Sequence, residues 1–199
     1  MSPDPSPSAE PATTVQNDLD ETAGLAVRVG DQVPSVGLRA SDGYLLNLRS
    51  FVGRQLAVFA FFAAPTAKGA QLRRGTRLAD ALAAGARRLE AAGVAVVGVT
   101  CDSEEQQRAW IDERHLPFLL FSDERRSAVE RLGIPLTEVD RNYNIARPIL
   151  LLVGRDGRVA AIIADPEPEY AVDIVLAAAR RAEGRDDDAQ PPGPPEAAA

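Results

Sequence analysis

Short apolar runs alternate along this chain with longer stretches whose apolar positions recur at helical spacing. Leu56-Ala57-Val58-Phe59-Ala60-Phe61-Phe62 and Val94-Ala95-Val96-Val97-Gly98-Val99-Thr100 lack polar alternation, and both read as strands buried on two faces. Between them, residues 68–92 are rich in Ala, Leu and Arg, with Leu72, Leu78, Leu82 and Leu89 at roughly helical intervals. Gly93 ends that helix. Ser103 is a good N-cap for a second helix running through Trp110 to about Arg114. Residues 116–121 read as a short strand, and Ser122 or Asp123 caps a helix that reaches Leu132-Gly133. Asp-Gly steps tolerate positive φ and mark two hairpins: Ser41-Asp42-Gly43 joins residues 36–39 to 44–48, and Arg155-Asp156-Gly157 joins 149–153 to 158–163. A last helix covers residues 170–180, started by Pro166 or Pro168.

Strands alternating with helices require crossover connections, which are right-handed and produce a mainly parallel sheet; the late hairpin adds an antiparallel edge. The pattern therefore predicts an α/β sandwich on a mixed sheet. No internal repeat is visible.

Composition refines this picture. The chain has 199 residues, 45% of them apolar, enough for one domain with a full core. Aromatics are 5%, so Ala, Val, Leu and Ile must fill that core. The formal charge of -7 is unevenly placed. The N-terminal segment holds Asp4, Glu10, Asp18, Asp20 and Glu21 with no basic residue; the C-terminal one holds Glu183, Asp186, Asp187, Asp188 and Glu196 against Arg185. Pro3, Pro5, Pro7, Pro11, Pro191, Pro192, Pro194 and Pro195 fall in the same two segments. Residues 1–26 and 183–199 thus read as disordered acidic tails around a domain at 27–182. That nearly balanced domain carries no nucleic-acid footprint and no polybasic membrane patch. The longest apolar run is about half of the ~20 residues a membrane span needs, and the N-terminus has no secretory h-region; the expectation is a cytoplasmic protein. One cysteine (Cys101) and one histidine (His115) exclude a disulfide framework and make a metal site improbable. No cofactor is expected.

The ordered segments match a known pattern. Val29-Gly30-Asp31-Gln32-Val33-Pro34 resembles the GDxxP opening of redoxins of the alkyl hydroperoxide reductase/thiol-specific antioxidant (peroxiredoxin) family. The Ser41-to-Leu48 hairpin with Phe51-Val52-Gly53 resembles their "dG..v.Ls.f.Gk" turn, and Val97-Gly98-Val99-Thr100-Cys101-Asp102-Ser103 resembles "vGVSxDs". Leu116-Pro117-Phe118-Leu119-Leu120-Phe121-Ser122-Asp123, running on to Leu132-Gly133-Ile134, is similar to "lpFpLLSD…aLGv", and residues 148–157 resemble the closing strand and hairpin. The resemblance covers residues 27–180 and implies a thioredoxin-like, peroxiredoxin-type three-layer sandwich.

It also implies a reactive cysteine after the strand at 56–62, where a helix N-terminus stabilises thiolate. Here the loop reads Ala63-Ala64-Pro65-Thr66-Ala67-Lys68-Gly69-Ala70. Against a thioredoxin-type WCxxC pattern the cysteines fall on Thr66 and Gly69; against the peroxiredoxin PxxxTxxC pattern the cysteine falls near residues 69–72. Neither position holds sulfur. An alcohol oxygen has no two-electron step equivalent to sulfenic acid, so the family's chemistry cannot run at Pro65, Thr66, Lys68 or Gly69.

Cys101 is the one remaining thiol, a relocated redox site or a small semi-buried hydrophobe whose acidic neighbours raise its pKa. Thr66 reads as a helix N-cap. Lys68, the single lysine, is either a solvated residue or an anion ligand at a helix N-terminus. The resemblance places a cis-proline at Pro148 and, one position off, a thiolate-stabilising arginine at Arg147. His115 and Trp110 read as surface and core residues of their helix. The leading expectation is a redox-inactive member serving as a binding or structural subunit, with a protein partner or a homodimer; the alternative is a peroxidase or thiol-transferase using Cys101 and Arg147.

Overall fold

The computed structural model describes residues 24–139 and 142–184. The two acidic tails read from composition lie almost wholly outside the described residues. The elements run β1 (Gly37–Ala40), β2 (Leu45–Asn47), β3 (Leu56–Phe61), α1 (Gly69–Ala91), β4 (Val94–Thr100), α2 (Glu104–Arg114), β5 (Leu119–Ser122), α3 (Ser127–Leu132), β6 (Leu136–Val139), β7 (Asn142–Ile145), β8 (Ile149–Val153), β9 (Val159–Ala164) and α4 (Pro168–Ala182).

Seven strands form one sheet in the order β2-β1-β5-β4-β3-β8-β9. The β3–β4 and β4–β5 pairs are parallel, joined by α1 and α2; the remaining neighbours are antiparallel. The sheet is mixed, as the strand–helix alternation predicts, but antiparallel pairs outnumber parallel ones, because both hairpins join it: β1 pairs antiparallel with β5 and β8 antiparallel with β3. Strand β3 is buried at every residue, and its side chains alternate between two cores. Val58, Ala60 and Phe62 meet α1 and α4 through Leu78, Leu82, Leu89, Val175 and Ala179. Ala57, Phe59 and Phe61 face Val33, Leu48, Val129, Leu132 and Ile145 on the other side. The sandwich therefore has three layers with the sheet in the middle.

Helix α1 lies unusually close to the end of β3. A Cβ at Gly75 would fall deep inside contact distance of the Ala63 carbonyl oxygen, so only glycine fits there. That close approach fixes the height at which α1 begins above the sheet.

Three local expectations are corrected. Strand β5 starts at Leu119 rather than 116, because Leu116 donates its N–H to the Ile111 carbonyl and closes α2. A hairpin that the sequence does not announce, β6–β7, forms a separate two-stranded sheet. Its connection carries no Asn-Gly or Gly-rich step, and tertiary contacts hold it instead: Ile145 is buried and the Arg126 guanidinium lies 5.0 Å from the Tyr143 ring centre. The third concerns Pro148. No peptide bond among the described residues is cis, so Pro148 follows a trans bond, the lower-energy isomer, and its carbonyl accepts from the Asp165 N–H at 2.8 Å. Helix α4 has Pro168 in its first turn, one of the two starts expected. No described helix is long and apolar enough to cross a membrane.

Candidate functional site

The parallel strands β3 and β4 end together, and the loops leaving them meet at one edge of the sheet. In open α/β sheets this carboxyl edge is where ligands bind. The loop after β3 carries Pro65-Thr66-Ala67-Lys68 into α1; the turn after β4 carries Cys101-Asp102 into α2.

Asp102 joins the two loops. It is 2% exposed, and one carboxylate oxygen, Oδ1, accepts both the Thr66 backbone N–H, at 3.0 Å, and the Thr66 hydroxyl. Its own backbone N–H reaches Thr100 Oγ1 at 3.3 Å, and its carbonyl accepts from Ser122 Oγ at 2.8 Å. Thr100 Oγ1 also accepts from Gln107 Nε2 at 3.0 Å, and both Thr100 and Gln107 are fully buried. Two acceptors in this network, Asp102 Oδ2 and Gln107 Oε1, are buried without a hydrogen-bond partner. Burial pushes the Asp102 carboxyl above the usual carboxylate range, and the Thr66 and Thr100 hydroxyls and the Thr66 N–H work against that rise.

Thr66 is therefore not the N-cap of α1 that its position suggests. The cap residue is Lys68, whose side chain makes no capping bond, and the Thr66 hydroxyl is turned instead into the neighbouring loop. The Thr66 hydroxyl donates to the buried Asp102 carboxylate, a strong charged acceptor, and this fixes its oxygen in that loop and not over the helix N–H groups from which a cap oxygen would accept. Lys68 and Gly69 are exposed and Pro65 is half-buried. Lys68 is not a free cation. Ser103, by contrast, caps α2 as expected: it accepts from the Gln106 N–H while Gln106 Oε1 accepts from the Ser103 N–H at 2.9 Å, a complete capping box.

Cys101 sits beside this network, half-buried against the core. Its thiol is pushed up to about 12, first by burial, then by the Asp123 and Asp102 carboxylates; the Arg126 guanidinium offsets them only in part. Asp123 is itself buried and engaged, accepting from the Ala128 and Val129 N–H groups at 3.0 and 2.8 Å at the start of α3. The cation acting on Cys101 is thus Arg126 and not Arg147, which is half-buried just before β8 and has interactions of its own. Trp110 is buried at 5% exposure and packs against Phe62; His115 is exposed and closes α2 in the left-handed region at φ 53°. In the sequence Asp102 is simply the residue before the Ser103 cap and Gln107 lies inside the helix that follows. A carboxylate at a helix N-terminus is ordinarily solvated, and nothing local announces that two crossing loops will enclose it.

The arrangement can tie the two loops together by charge-assisted hydrogen bonds. It presents neither a sulfur at the start of α1 nor a thiolate at Cys101. The comparisons with known proteins agree with the topology. Peroxiredoxin Bcp of Escherichia coli (strain K12) is 26% identical over 152 residues, 75% of this chain and 94% of that protein. The chloroplastic Peroxiredoxin Q of Populus jackii is 30% identical over 117 residues, 59% of this chain and 52% of that one. Among solved structures, Peroxidoxin BcpB from Mycobacterium tuberculosis superposes with a TM-score of 0.68 at 18% identity, covering 78% of this chain and 97% of its own. Xanthomonas campestris Peroxiredoxin Q gives 0.65 at 18% identity, over 79% and 98%. Residues 29–162 match the model described as the AhpC/TSA family, about two thirds of the chain, and with the sheet order and the recurring motifs this places the protein in that family.

Proposed function

We propose that this chain keeps the peroxiredoxin fold as a binding or structural subunit and does not carry out thiol-peroxidase chemistry. The observation that carries the reading is the state of the loop before α1. Its Thr66 hydroxyl is donated to a buried carboxylate, and no residue from 63 to 72 is a cysteine. A peroxidase of this family type needs a thiolate to attack the peroxide O–O bond and a sulfenic acid to store the oxidised state. Oxygen at Thr66 supplies neither. Cys101, with its thiol near 12, is almost wholly protonated at neutral pH, and two carboxylates oppose the anion that the reaction would require. The partner is a protein, either a second copy or another chain, and a cytoplasmic setting belongs to the same reading.

The test is peroxide consumption by the full chain with hydrogen peroxide and an alkyl hydroperoxide, using a thiol reductant, alongside Cys101→Ser. The expected result is no turnover above the reductant alone for either protein. Turnover that disappears in Cys101→Ser would overturn the reading in favour of a peroxidase built on Cys101.

A further inference from the structure

Strand β5 is shorter than its neighbour β4, and the mismatch leaves a notch inside the sheet. The β4–β5 ladder begins at Val97↔Leu119, so Val94, Ala95 and Val96 have β3 on one side and no described strand on the other. The residues that would extend β5 backwards are spent elsewhere: Leu116 closes α2, and Pro117 has no N–H to give. Backbone groups of β4 alternate between its two neighbours. The Val99 carbonyl accepts from the Phe62 N–H on the β3 side, and the Thr100 carbonyl accepts from the Asp123 N–H on the β5 side, at 3.2 and 2.8 Å. Val94 and Val96 are in phase with Thr100, so the Val96 N–H and the Val94 carbonyl point into the notch. Burial follows the same line. Ala95 and Val96 are half-buried, although the β3 residues paired with them, Ala57 and Val58, are fully buried. A cavity of about 530 Å³ fills the gap, walled by Phe51, by Ala86 of α1 and by Phe118 just ahead of β5. Its charged lining residues, Arg87 and Glu90, are of opposite sign, so an uncharged segment suits it better than a charged one. An unmet ladder beside an apolar hollow is a receptor for one extended strand.

We propose that this notch takes the chain's own segment Ala12-Thr13-Thr14-Val15-Gln16, which lies outside the described residues, as a short strand beside the start of β4. Three features favour that occupant. Within residues 1–23 and 185–199, the longest run without proline or charge is 12–17; everything else there is interrupted by groups that cannot donate to a ladder or that resist an apolar wall. Thr13, Thr14 and Val15 are three β-branched residues in succession, the type that fits a half-buried strand. Residues 17–23 link the segment to Gly24 and give it a reach of about 25 Å, against a radius of gyration of about 15 Å for a domain of this size. The described end of that linker is anchored, since the Ala26 N–H donates to the Leu132 carbonyl at 2.9 Å. Docked there, the segment completes the β4 ladder and closes the notch to a foreign strand.

The experiment is amide hydrogen exchange on the full chain, read at Val96 by NMR, with the β8 amides of residues 149–153 as the internal reference for global opening. It compares the wild type with Thr14→Pro, Val15→Pro and, as a control in the other terminal segment, Ala189→Pro. Backbone groups of successive strand residues face opposite sides, so one of the two adjacent prolines must remove a ladder donor whatever the register. The expected result is slow exchange at Val96 in the wild type, unchanged on tenfold dilution. It should be at least about tenfold faster in one or both N-terminal proline variants, with the β8 amides unaffected and Ala189→Pro like wild type. Three results would overturn the proposal: a Val96 amide that exchanges in the wild type as fast as an unpaired loop amide, protection indifferent to both N-terminal prolines, or protection that falls on dilution and so comes from another molecule. None of these touches the peroxidase question, which the turnover assay answers separately.

Discussion

Replacing Asp102 by Asn preserves the shape of the side chain and exchanges one carboxylate oxygen for an N–H donor. Oδ1 would still accept from the Thr66 N–H and hydroxyl, though as a neutral acceptor it forms weaker bonds. The gain lies at Oδ2, which is buried without a hydrogen-bond partner. A buried group left unsatisfied costs about 1–3 kcal/mol, and a neutral amide also escapes the burial of charge. Against this stands the loss of charge assistance, about 1 kcal/mol. The balance is a variant about 1 kcal/mol more stable than wild type at pH 8, or about 2–4 °C in Tm for a domain of this size. The pH dependence provides the sharper test. Burial raises the native carboxyl above its unfolded value, so the stability it contributes is full below the unfolded value near 4. That stability is lost as pH rises through the native value. The Asp102→Asn variant has no such loss, and the raised Asp123 carboxyl is common to both proteins and cancels in the difference. The advantage of Asp102→Asn should therefore be small or reversed at pH 4 and grow toward pH 8. Guanidinium denaturation across that range measures it, with Asp102→Ala as the reference for loss of the hub, about 1–3 kcal/mol below wild type. If Asp102→Asn at pH 8 is as destabilised as Asp102→Ala, the carboxylate charge is a net stabiliser and the reasoning fails.

The thiol and the packing of α1 give two more expected outcomes. With its thiol at about 12, Cys101 at pH 8 is thiolate in only about one molecule in ten thousand, so iodoacetamide should modify it far more slowly than a free cysteine. Asp123→Asn should speed that modification modestly, because burial is the larger cause and remains; equal rates for the native protein and a free thiol would contradict this. Gly75→Ala drives a methyl group into the backbone oxygen of Ala63, which cannot rotate away, and should cost about 1–3 kcal/mol or more. Gly85→Ala has the Val172 side chain, not backbone, as its nearest obstacle and should cost less; chemical denaturation of the pair measures the ordering.

Residues 56–62 and 94–100 announce themselves as buried strands because an uninterrupted apolar run satisfies both faces of a central strand, and the structure pairs them in parallel from Leu56↔Val94 onward. The two Asp-Gly hairpins, the Ser103 N-cap and a last helix opened by Pro166 or Pro168 are equally legible, each fixed by a local backbone preference, and the structure chooses Pro168. The absence of sulfur between residues 63 and 72 is purely a matter of sequence. Other features need the fold. The β6–β7 hairpin is held by the burial of Ile145 and by Arg126 over Tyr143, contacts between residues far apart in the chain or without a turn motif. Thr66 reads as a helix cap because the helix lies next to it, whereas its hydroxyl partner lies 36 residues further along, on the adjacent strand end. Asp102 becomes the hub of the site only when two parallel strands bring their loops together. Local sequence determines which conformation a segment prefers; which polar groups are buried together is decided by the crossing of elements, and that is where the character of this site is set.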